Sequence, residues 1–197
     1  LETVGNAQIS TAQSKFGGAS LAFDGTGDRL FTNVSGRAGY TFGVGGAPFT
    51  FECWLYFNSF SGSYSLAGKG GGFAGWNSTT GHQIIFGIYQ SSTWYLQWWD
   101  GSNLVSQSIS NPFLTGQWYH YAVCYSGSTL RVFVNGTSVL TVANPTFGAP
   151  SQAYYFTVGD VPSADGPFNG YIDDLRITQY ARYTANFTPQ RSQWQDQ

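Results

Sequence analysis

The sequence predicts an all-β fold, a sandwich or barrel of about ten strands with almost no helix. Only 9% of the residues are charged, 18% are aromatic, and the chain contains 26 glycines. This composition is typical of short strands and tight turns. A helical protein would have many more glutamates and lysines on the exposed faces of its helices. Segments that alternate between apolar and polar residues recur along the chain, with turn signals between them. The composition is even throughout, so we expect the 197 residues to form one domain.

The first predicted strand covers residues 19–24 and ends in the glycine-rich turn at 25–27. The strongest strand signal is at residues 49–57, where alternate side chains must face opposite sides of the sheet. Its apolar face consists of Phe49, Phe51, Cys53, Leu55 and Phe57. Its second face consists of Thr50, Glu52, Trp54 and Tyr56. Residues 64–67 are a candidate short strand.

The remaining predicted strands follow the same alternating pattern. They cover residues 83–89, 93–99, 103–109, 117–125, 129–134, 137–142, 153–158 and 170–178. The dipeptide Asn135-Gly136, between two of these strands, is the strongest short hairpin signal in the chain. Only residues 178–185 have a pattern compatible with a helical turn.

Four segments together resemble the concanavalin A-like lectin/glucanase superfamily, in its laminin-G-like branch. In chain order they are residues 21–30, 48–57, 116–137 and 168–189. Three features within them carry the resemblance. They are a Trp-x-His strand at 118–120, a Val-Asn-Gly hairpin at 134–136 and the closing strand GYIDDLRI at 170–177.

The resemblance implies a jelly-roll β-sandwich of two antiparallel sheets over residues 15–190. These boundaries leave an N-terminal lead-in at 1–14 and a polar C-terminal tail at 191–197. One sheet of such domains is concave, and glycans commonly bind there or on the loops at its rim. The segment RYTANFTP at 182–189 is similar to part of the laminin-G-like domains of phage structural proteins and bacterial surface proteins. The resemblance therefore implies an extracellular or virion-surface location.

Charge and cysteine content narrow the classes of partner. The net charge is −2 without a basic run, which argues against a nucleic-acid partner because phosphate binding needs a stripe of lysine and arginine. No segment approaches the roughly 20 apolar residues of a membrane span, so we expect no membrane insertion. Cys53 and Cys124 fall on opposite faces of their strands, and we interpret them as small hydrophobic residues rather than a disulfide framework.

The sequence does not predict an enzyme. The glucanases of this superfamily use a pair of carboxylates on one strand, about 5–5.5 Å apart where the enzyme is retaining. Only Glu52 of the two glutamates lies in a predicted strand, and its same-face neighbours Trp54 and Tyr56 supply no second carboxylate. Asp173 and Asp174 are adjacent, so they face opposite sides of their strand. A glycoside hydrolase is therefore the third-ranked hypothesis.

Aromatic residues exceed what a core of this size needs, with 7 tryptophans and 13 tyrosines. Sugar recognition stacks the apolar faces of sugars on aromatic rings and directs polar side chains at the hydroxyl groups. The candidate carbohydrate-binding residues are Glu52, Trp54, Tyr56, Trp76, Trp98 and His120. Those within 49–57 and 117–125 are assigned to the concave sheet, while Trp76, in the glycine-rich loop 70–82, and Trp98 flank it.

Structural alternatives exist for the tryptophans. Trp54 and Trp98 have the alternative role of covering a sheet edge or a loop, and Trp76 that of folding back over the rim. Because Trp98 and Trp99 are consecutive in a strand, at least one of them must leave the core.

Alternatives also remain for the Trp-x-His strand. Trp118 resembles the packing tryptophan of the family. If the strands at 49–57 and 117–125 pair, Glu52 can approach His120, and the alternative to a binding role is a buried or groove-lining hydrogen bond between them.

The resemblance also implies a metal site. Relatives of this fold often carry one structural Ca²⁺, held by an aspartate of the closing strand and by backbone carbonyls of an N-terminal turn. Asp173 matches the first element, and the turn that contains Asp24 and Asp28 matches the second. Ca²⁺ takes six to eight oxygen ligands, and glycines let carbonyls approach it. The alternative is that Asp24 and Asp28 form Asx-turns and Asp173 hydrogen-bonds the same loop.

These observations favour a non-catalytic carbohydrate-binding or adhesion module of a larger secreted or virion-surface protein. Its partner would be a glycan or polysaccharide. The alternative is a structural or assembly domain of a phage particle, such as a head or tail decoration, which contacts other structural protein chains and binds no sugar.

Overall fold

The computed structural model describes residues 2–31, 42–60, 74–78, 81–90, 92–149, 156–160 and 168–192. For residues 74–78 and 81–83 it describes the backbone alone. The strand predicted at 64–67 lies outside the described residues, as does the first half of the strand predicted at 153–158.

Fourteen strands make up nearly all of the regular structure in the described residues. In chain order they are β1 (Glu2–Val4), β2 (Gln8–Ser10), β3 (Ser20–Asp24), β4 (Arg29–Phe31), β5 (Phe49–Phe57), β6 (Ala74–Ser78), β7 (Gly81–Gln90), β8 (Thr93–Trp99), β9 (Leu104–Ser110), β10 (Trp118–Tyr125), β11 (Thr129–Val134), β12 (Thr137–Ala143), β13 (Phe156–Val158) and β14 (Asn169–Thr178). Across the described parts of the chain, helix is limited to one 3-10 turn at Val44–Gly46. None of it is long and apolar enough to cross a bilayer.

The strands form two seven-stranded sheets. Sheet I has the strand order β1-β4-β13-β6-β7-β8-β9, and sheet II has the order β12-β11-β10-β5-β14-β3-β2. Neighbouring strands pair antiparallel in both sheets, as in β5 with β10 and β5 with β14. The predicted two-sheet antiparallel sandwich is therefore confirmed.

Differences from the predicted elements are local. The lead-in predicted at 1–14 contains β1, which joins sheet I, and β2, which joins sheet II. The predicted loop 70–82 contains β6 and the start of β7. Residues 179–185 contain no helical turn.

The inward faces of the two sheets form the core. The five residues predicted for the apolar face of β5 are each no more than 2% exposed. Phe51 of β5 stacks on Phe86 of β7, with ring centroids 4.3 Å apart, and so joins the two sheets. Polar groups in this core are paired, because Trp94 Nε1 donates to the Tyr121 hydroxyl at 3.1 Å and that hydroxyl donates to the Phe86 carbonyl.

Two segments without strands lie over the outer face of sheet II. We call residues 11–19 the N-terminal cover and residues 179–190 the C-terminal cover. Under the C-terminal cover, Cys124 and Phe133 of the sheet pack against Tyr183 and Phe187. Cys124 therefore faces outward, whereas Cys53 belongs to the core, and both are free thiols. Their predicted placement on opposite faces is confirmed.

Candidate functional site

Glu52, on the outward face of β5, is the centre of a polar cluster beneath the C-terminal cover. Its side chain is fully buried. Oε1 accepts hydrogen bonds from Nε and Nη2 of Arg176, at 2.9 and 2.7 Å, and lies 3.0 Å from Nε of Arg182. Oε2 accepts a hydrogen bond from the Tyr183 hydroxyl at 2.8 Å. We call these side chains, together with His120, the Glu52 cluster.

The Glu52 cluster stabilises a negative charge inside the protein. Burial by itself raises the pKa of a carboxyl group, but contacts with His120, Tyr183 and Arg176 outweigh it and hold the pKa of Glu52 below its usual value. Burial and the nearby Glu52 charge raise the pKa of Tyr183 to about 12. At neutral pH the carboxyl is therefore ionised and the phenol is neutral.

His120, on β10, lies beside Glu52 because β10 pairs with β5. Its Nε2 is 3.3 Å from Oε2 of Glu52, and neither side chain is exposed. The imidazole ring packs edge-on against Trp54 and Phe187, with centroid distances of 5.3 and 5.6 Å. Nδ1 has no hydrogen-bond partner among the described residues. The approach of Glu52 to His120, predicted for the case in which their strands pair, is therefore present, and both side chains are buried.

Trp54 lies beneath the N-terminal cover. Phe16 packs edge-on against its ring at 5.8 Å, and Lys15 Nζ lies 4.1 Å from the ring centroid. Asp173 holds this cover in place, because its Oδ2 accepts hydrogen bonds from the backbone N–H groups of Lys15 and Phe16 at 2.8 and 3.0 Å. Trp54 is 6% exposed. The structure therefore brings together Glu52, Trp54 and His120, but a sugar could touch them only after the covers moved.

Two other predicted tryptophans lie in strands of sheet I. Trp98 is 2% exposed and belongs to the core, where its Nε1 donates to the Thr146 carbonyl at 2.9 Å. Trp99 is instead the member of the pair that leaves the core, half-buried on the outer face of sheet I. The backbone of Trp76 lies in β6, opposite Phe156, and its side chain is outside the described residues.

Three aromatic rings from the strands of sheet II remain accessible on its outer face, and we call them the aromatic row. Trp118 of β10, Tyr56 of β5 and Tyr171 of β14 stand directly opposite one another on neighbouring strands. The Tyr56 ring lies 5.4 Å from that of Trp118 and 5.7 Å from that of Tyr171, centroid to centroid. All three side chains are half-buried. At the usual strand spacing the row extends about 10 Å across the sheet.

A pocket continues the aromatic row. The next residues in the same line are Ala22 of β3 and Gln8 of β2. Because Ala22 is small, a hollow of about 540 Å³ opens between Tyr171 and Gln8. We call it the Ala22 pocket. Its polar lining residues are Asn6, Gln8, Ser10, Asp24, Asn58 and Tyr171.

Asp24 is the one carboxylate among the described residues that line the Ala22 pocket. Its Oδ2 accepts a hydrogen bond from Nδ2 of Asn6 at 3.1 Å, and Oδ1 accepts one from the backbone N–H of Thr26 at 2.8 Å. The bond from Asn6 is the largest influence on this carboxyl and holds the pKa of Asp24 below its usual value. The pocket is therefore negatively charged at neutral pH.

The sequence matches the Laminin_G_3 model of the concanavalin A-like lectin/glucanases superfamily over residues 24–186. The chain belongs to this family. The resemblance inferred from four sequence segments is confirmed. No curated protein matches the sequence significantly.

Solved structures similar to this Laminin_G_3 domain come from different kinds of protein. One is domain 4 of AbnA, a GH43 extracellular arabinanase from Geobacillus stearothermophilus, in complex with arabinotriose. It is 20% identical to this chain with a TM-score of 0.53, and the match covers 90% of this chain and 77% of that one. A second is a native heptameric SAP-like pentraxin from Limulus polyphemus. It is 18% identical to this chain with a TM-score of 0.53, and the match covers 83% of this chain and 76% of that one. The binding domain of botulinum neurotoxin DC, in complex with rat synaptotagmin II, is 12% identical with a TM-score of 0.65, over 91% of this chain. The chain spans only 43% of that last structure, and at these identities the likeness shows the fold alone.

The three aspartates considered for Ca²⁺ in this Laminin_G_3 domain are not brought together. Asp24 stands opposite Asn169 of β14, whereas Asp173 lies four residues further along that strand, about 13 Å away at the usual rise. Asp28 is buried, and its two carboxylate oxygens accept hydrogen bonds from the backbone N–H groups of Asn6 and Asp24. These oxygens therefore face donors rather than a cation.

Asp24 instead forms an Asx-turn, the predicted alternative to a Ca²⁺ ligand, because its Oδ1 accepts a hydrogen bond from the backbone N–H of Thr26. Among the described residues no group of three or more histidine, cysteine, aspartate or glutamate side chains could hold a metal ion. This donor set does not fit a Ca²⁺ site shared by Asp24, Asp28 and Asp173, and a structural Ca²⁺ in this domain stays a prediction.

Sequence reasoning missed several residues of this surface. Tyr171 was not singled out, although alternation along β14 places it on the same face as Asp173 and therefore beside Tyr56. Trp118 was assigned to packing, and it does pack against Tyr56 while staying half-exposed. Arg182 and Tyr183, which close over Glu52, carry no periodic signal because the C-terminal cover is irregular.

Proposed function

We propose that this chain is a non-catalytic carbohydrate-binding module, and that sugar binds on the outer face of sheet II along the aromatic row and in the Ala22 pocket. One observation carries the proposal. Three half-buried rings stand in register on three adjacent strands and lead directly into a hollow lined by amides, hydroxyls and a carboxylate.

The chemistry of this surface suits a sugar. The C–H faces of a sugar ring are apolar and stack on aromatic rings, while its hydroxyl groups need donors and acceptors at fixed positions. Asn58 is held in such a position, because its Nδ2 donates to Oδ1 of Asn169 at 3.1 Å. The row is longer than a single sugar ring, so the ligand that fits is an oligosaccharide or a polysaccharide segment.

The same surface argues against hydrolysis. Retaining glycosidases need two carboxyl groups about 5–5.5 Å apart at the bond they cleave. Asp24 is the one carboxylate among the described lining residues of the Ala22 pocket, and the neighbouring Asp28 is buried and bonded to the backbone N–H groups of Asn6 and Asp24. Glu52 is committed to two arginines and a tyrosine under the C-terminal cover. Binding without cleavage is the function these side chains support.

The relatives agree with a binding role. The arabinanase domain is named in complex with arabinotriose, and the neurotoxin domain is named a binding domain. We infer that this chain is likewise the recognition module of a larger protein that acts outside the cell. A particle-assembly role, without sugar binding, is the outcome that the following experiment separates from it.

The test is a glycan array and a polysaccharide pull-down with the wild type, Tyr171→Ala and Trp118→Ala. Loss of one stacking ring should weaken binding about tenfold, which corresponds to about 1.4 kcal/mol. Trp99→Ala is the matched control, because it removes a half-buried ring from the outer face of sheet I. Circular dichroism of each variant checks that the sandwich remains folded.

The outcomes separate clearly. Binding that is weakened about tenfold in Tyr171→Ala and in Trp118→Ala but unchanged in Trp99→Ala supports the proposed surface. Glycan binding that is lost only in Trp99→Ala would indicate a sugar site on sheet I instead. A folded wild type that binds no glycan and self-associates would support the assembly role instead.

A further inference from the structure

We propose, resting on the proposed function, that Asp24 makes the Ala22 pocket specific for uncharged glycans with adjacent free hydroxyl groups and excludes glycans that carry carboxylate or sulfate. Asp24 would act as the specificity-determining residue of the site, accepting hydrogen bonds from two hydroxyls of the bound sugar ring.

The position of Asp24 supports this role. It is the last residue of β3 and follows Ala22 on the same face of sheet II, so its side chain stands at the edge of the hollow that Ala22 leaves. Its side chain is exposed, in contrast to the buried Asp28 behind it. A ligand in the pocket can therefore reach it directly.

Asp24 also has acceptor capacity to offer. An ionised carboxylate has about four lone-pair sites. The N–H groups of Asn6 and Thr26 take one site on each oxygen and fix the orientation of the group. The side chains of Thr26 and Asp28 also contact this carboxylate. Because Asp24 is exposed, a pair of adjacent sugar hydroxyls can donate to the acceptor sites that these neighbours leave open. Hydrogen bonds to an ionised acceptor are about twice as strong as those between neutral groups.

The charge around the pocket favours the same ligand class. No lysine or arginine is among the described lining residues, whose other polar groups are amides and hydroxyls. Asp28 adds a second carboxyl group behind the turn, bonded to the backbone N–H of Asn6. A uronate or sulfated sugar would bring a like charge to Asp24 without a cation among these described lining residues to offset it, and that repulsion is costly at the few ångströms of a binding contact.

The test compares the wild type with Asp24→Asn and Asp100→Asn on an array that carries neutral, uronate-bearing and sulfated glycans. Polygalacturonate and its fully methyl-esterified form make a matched pair, because they share one backbone and differ in charge. Asp100 is the matched control, a half-buried aspartate that forms a similar turn between β8 and β9 through the N–H groups of Ser102 and Asn103.

We expect the wild type to bind neutral glycans at least about tenfold more tightly than charged ones of the same backbone. Asp24→Asn should weaken neutral binding about tenfold and remove most of the discrimination, because asparagine offers one acceptor oxygen and no charge. Asp100→Asn should behave as the wild type does. Preference for the neutral form should also fall at high salt if charge causes it.

Three results would overturn the inference. They are equal binding of neutral and charged glycans by the wild type, unchanged discrimination in Asp24→Asn, and no glycan binding at all. The first two leave the proposed function standing if Tyr171→Ala still weakens binding about tenfold, whereas the third removes both proposals. Binding that is unchanged in Tyr171→Ala but weakened in Asp24→Asn would contradict the proposed role of the aromatic row and leave the proposed role of Asp24 standing.

Discussion

The carboxylate of Glu52 sits inside the protein beside two guanidinium groups, and this arrangement makes its charge a stability determinant. Removing one partner of a buried ion pair typically costs about 3–5 kcal/mol, because the remaining charge stays desolvated. Here the side chains of Arg176 and Arg182 are each 23% exposed, so water can solvate them in part. The lower end of that range therefore applies.

We predict that Glu52→Gln lowers the free energy of unfolding by about 3 kcal/mol at neutral pH. Urea denaturation followed by tryptophan fluorescence measures this change. Asp100→Asn is the control, because the Asp100 carboxylate contacts only the N–H groups of its own turn among the hydrogen bonds described for it. This variant should leave the urea midpoint near that of the wild type. A Glu52→Gln midpoint equal to that of the control would contradict the prediction.

The same variant should show a characteristic pH dependence. The pKa of Glu52 is lower in the folded state than its ordinary value of 4.5. A carboxyl of this kind stabilises the fold above its unfolded pKa, and the contribution disappears as the pH falls through the folded pKa. The stability difference between wild type and Glu52→Gln should therefore be constant above about pH 5 and shrink steadily below it.

At the scale of elements, alternation predicted β5 correctly and β14 only in part. In β14 a bulge separates Asp173, opposite Trp54, from Arg176, opposite Glu52. The bulge adds one residue, and Asp174 within it has a positive φ of 45°. Strict alternation places Arg176 on the face away from Asp173, so the ion pair with Glu52 could not be read from periodicity.

The covers could not be predicted for a different reason. Strand patterning determines which residues of β5 and β10 point outward, and the predicted outward residues Glu52, Trp54 and His120 do so. Whether these outward residues contact water or another segment depends on the irregular segments of the chain, whose sequence has no strand periodicity. The sequence therefore predicted the face of each candidate residue but not its exposure.

One contact between elements fixes the C-terminal cover to the β11–β12 hairpin. Asn135 and Gly136 both have positive φ, as a two-residue hairpin turn requires, and the Gly136 carbonyl accepts the backbone N–H of Phe187 at 2.9 Å. A Cβ on Gly136 would overlap the Phe187 carbonyl oxygen. The hairpin can therefore hold the cover only while position 136 is glycine.

We predict that Gly136→Ala destabilises the protein by about 3 kcal/mol or more, combining backbone strain at positive φ with displacement of the cover. Gly18→Ala is the matched control, because Gly18 has a φ of 80° with nothing within 4 Å of its Cβ position. It should cost only the strain, about 1 kcal/mol. Thermal unfolding of both variants measures the difference, and equal losses would show that the cover tolerates the extra methyl.

At the scale of the whole molecule, the accessible surface of sheet II is what the two covers leave open. The N-terminal cover closes over Trp54, and the C-terminal cover closes over Glu52, His120 and Phe133. The aromatic row and the Ala22 pocket lie beyond both. The location of the proposed sugar site therefore follows from where these two irregular segments end.

The covers and the sandwich core should also differ in local stability. The C-terminal cover is irregular and rests on one face of a sheet, whereas the core lies between two sheets. Segments with few core contacts open at lower free energy than the domain unfolds. The two free cysteines report on these two layers, because Cys124 is 1% exposed beneath the cover and Cys53 is 1% exposed in the core.

We predict that a thiol reagent modifies Cys124 at least about tenfold faster than Cys53 under native conditions, because opening of the cover is enough to expose Cys124. The Sγ of Cys124 accepts the backbone N–H of Tyr183 at 3.4 Å, so lifting the cover breaks its contact directly. Pulsed labelling followed by digestion and mass spectrometry measures both sites in one wild-type sample, so each is the control for the other. Gly136→Ala should accelerate Cys124, since it loosens the cover at its anchor on the hairpin, and Cys124 should remain the faster of the two sites. Equal rates at both cysteines, with both rising together in urea, would mean that the cover and the core unfold as one unit.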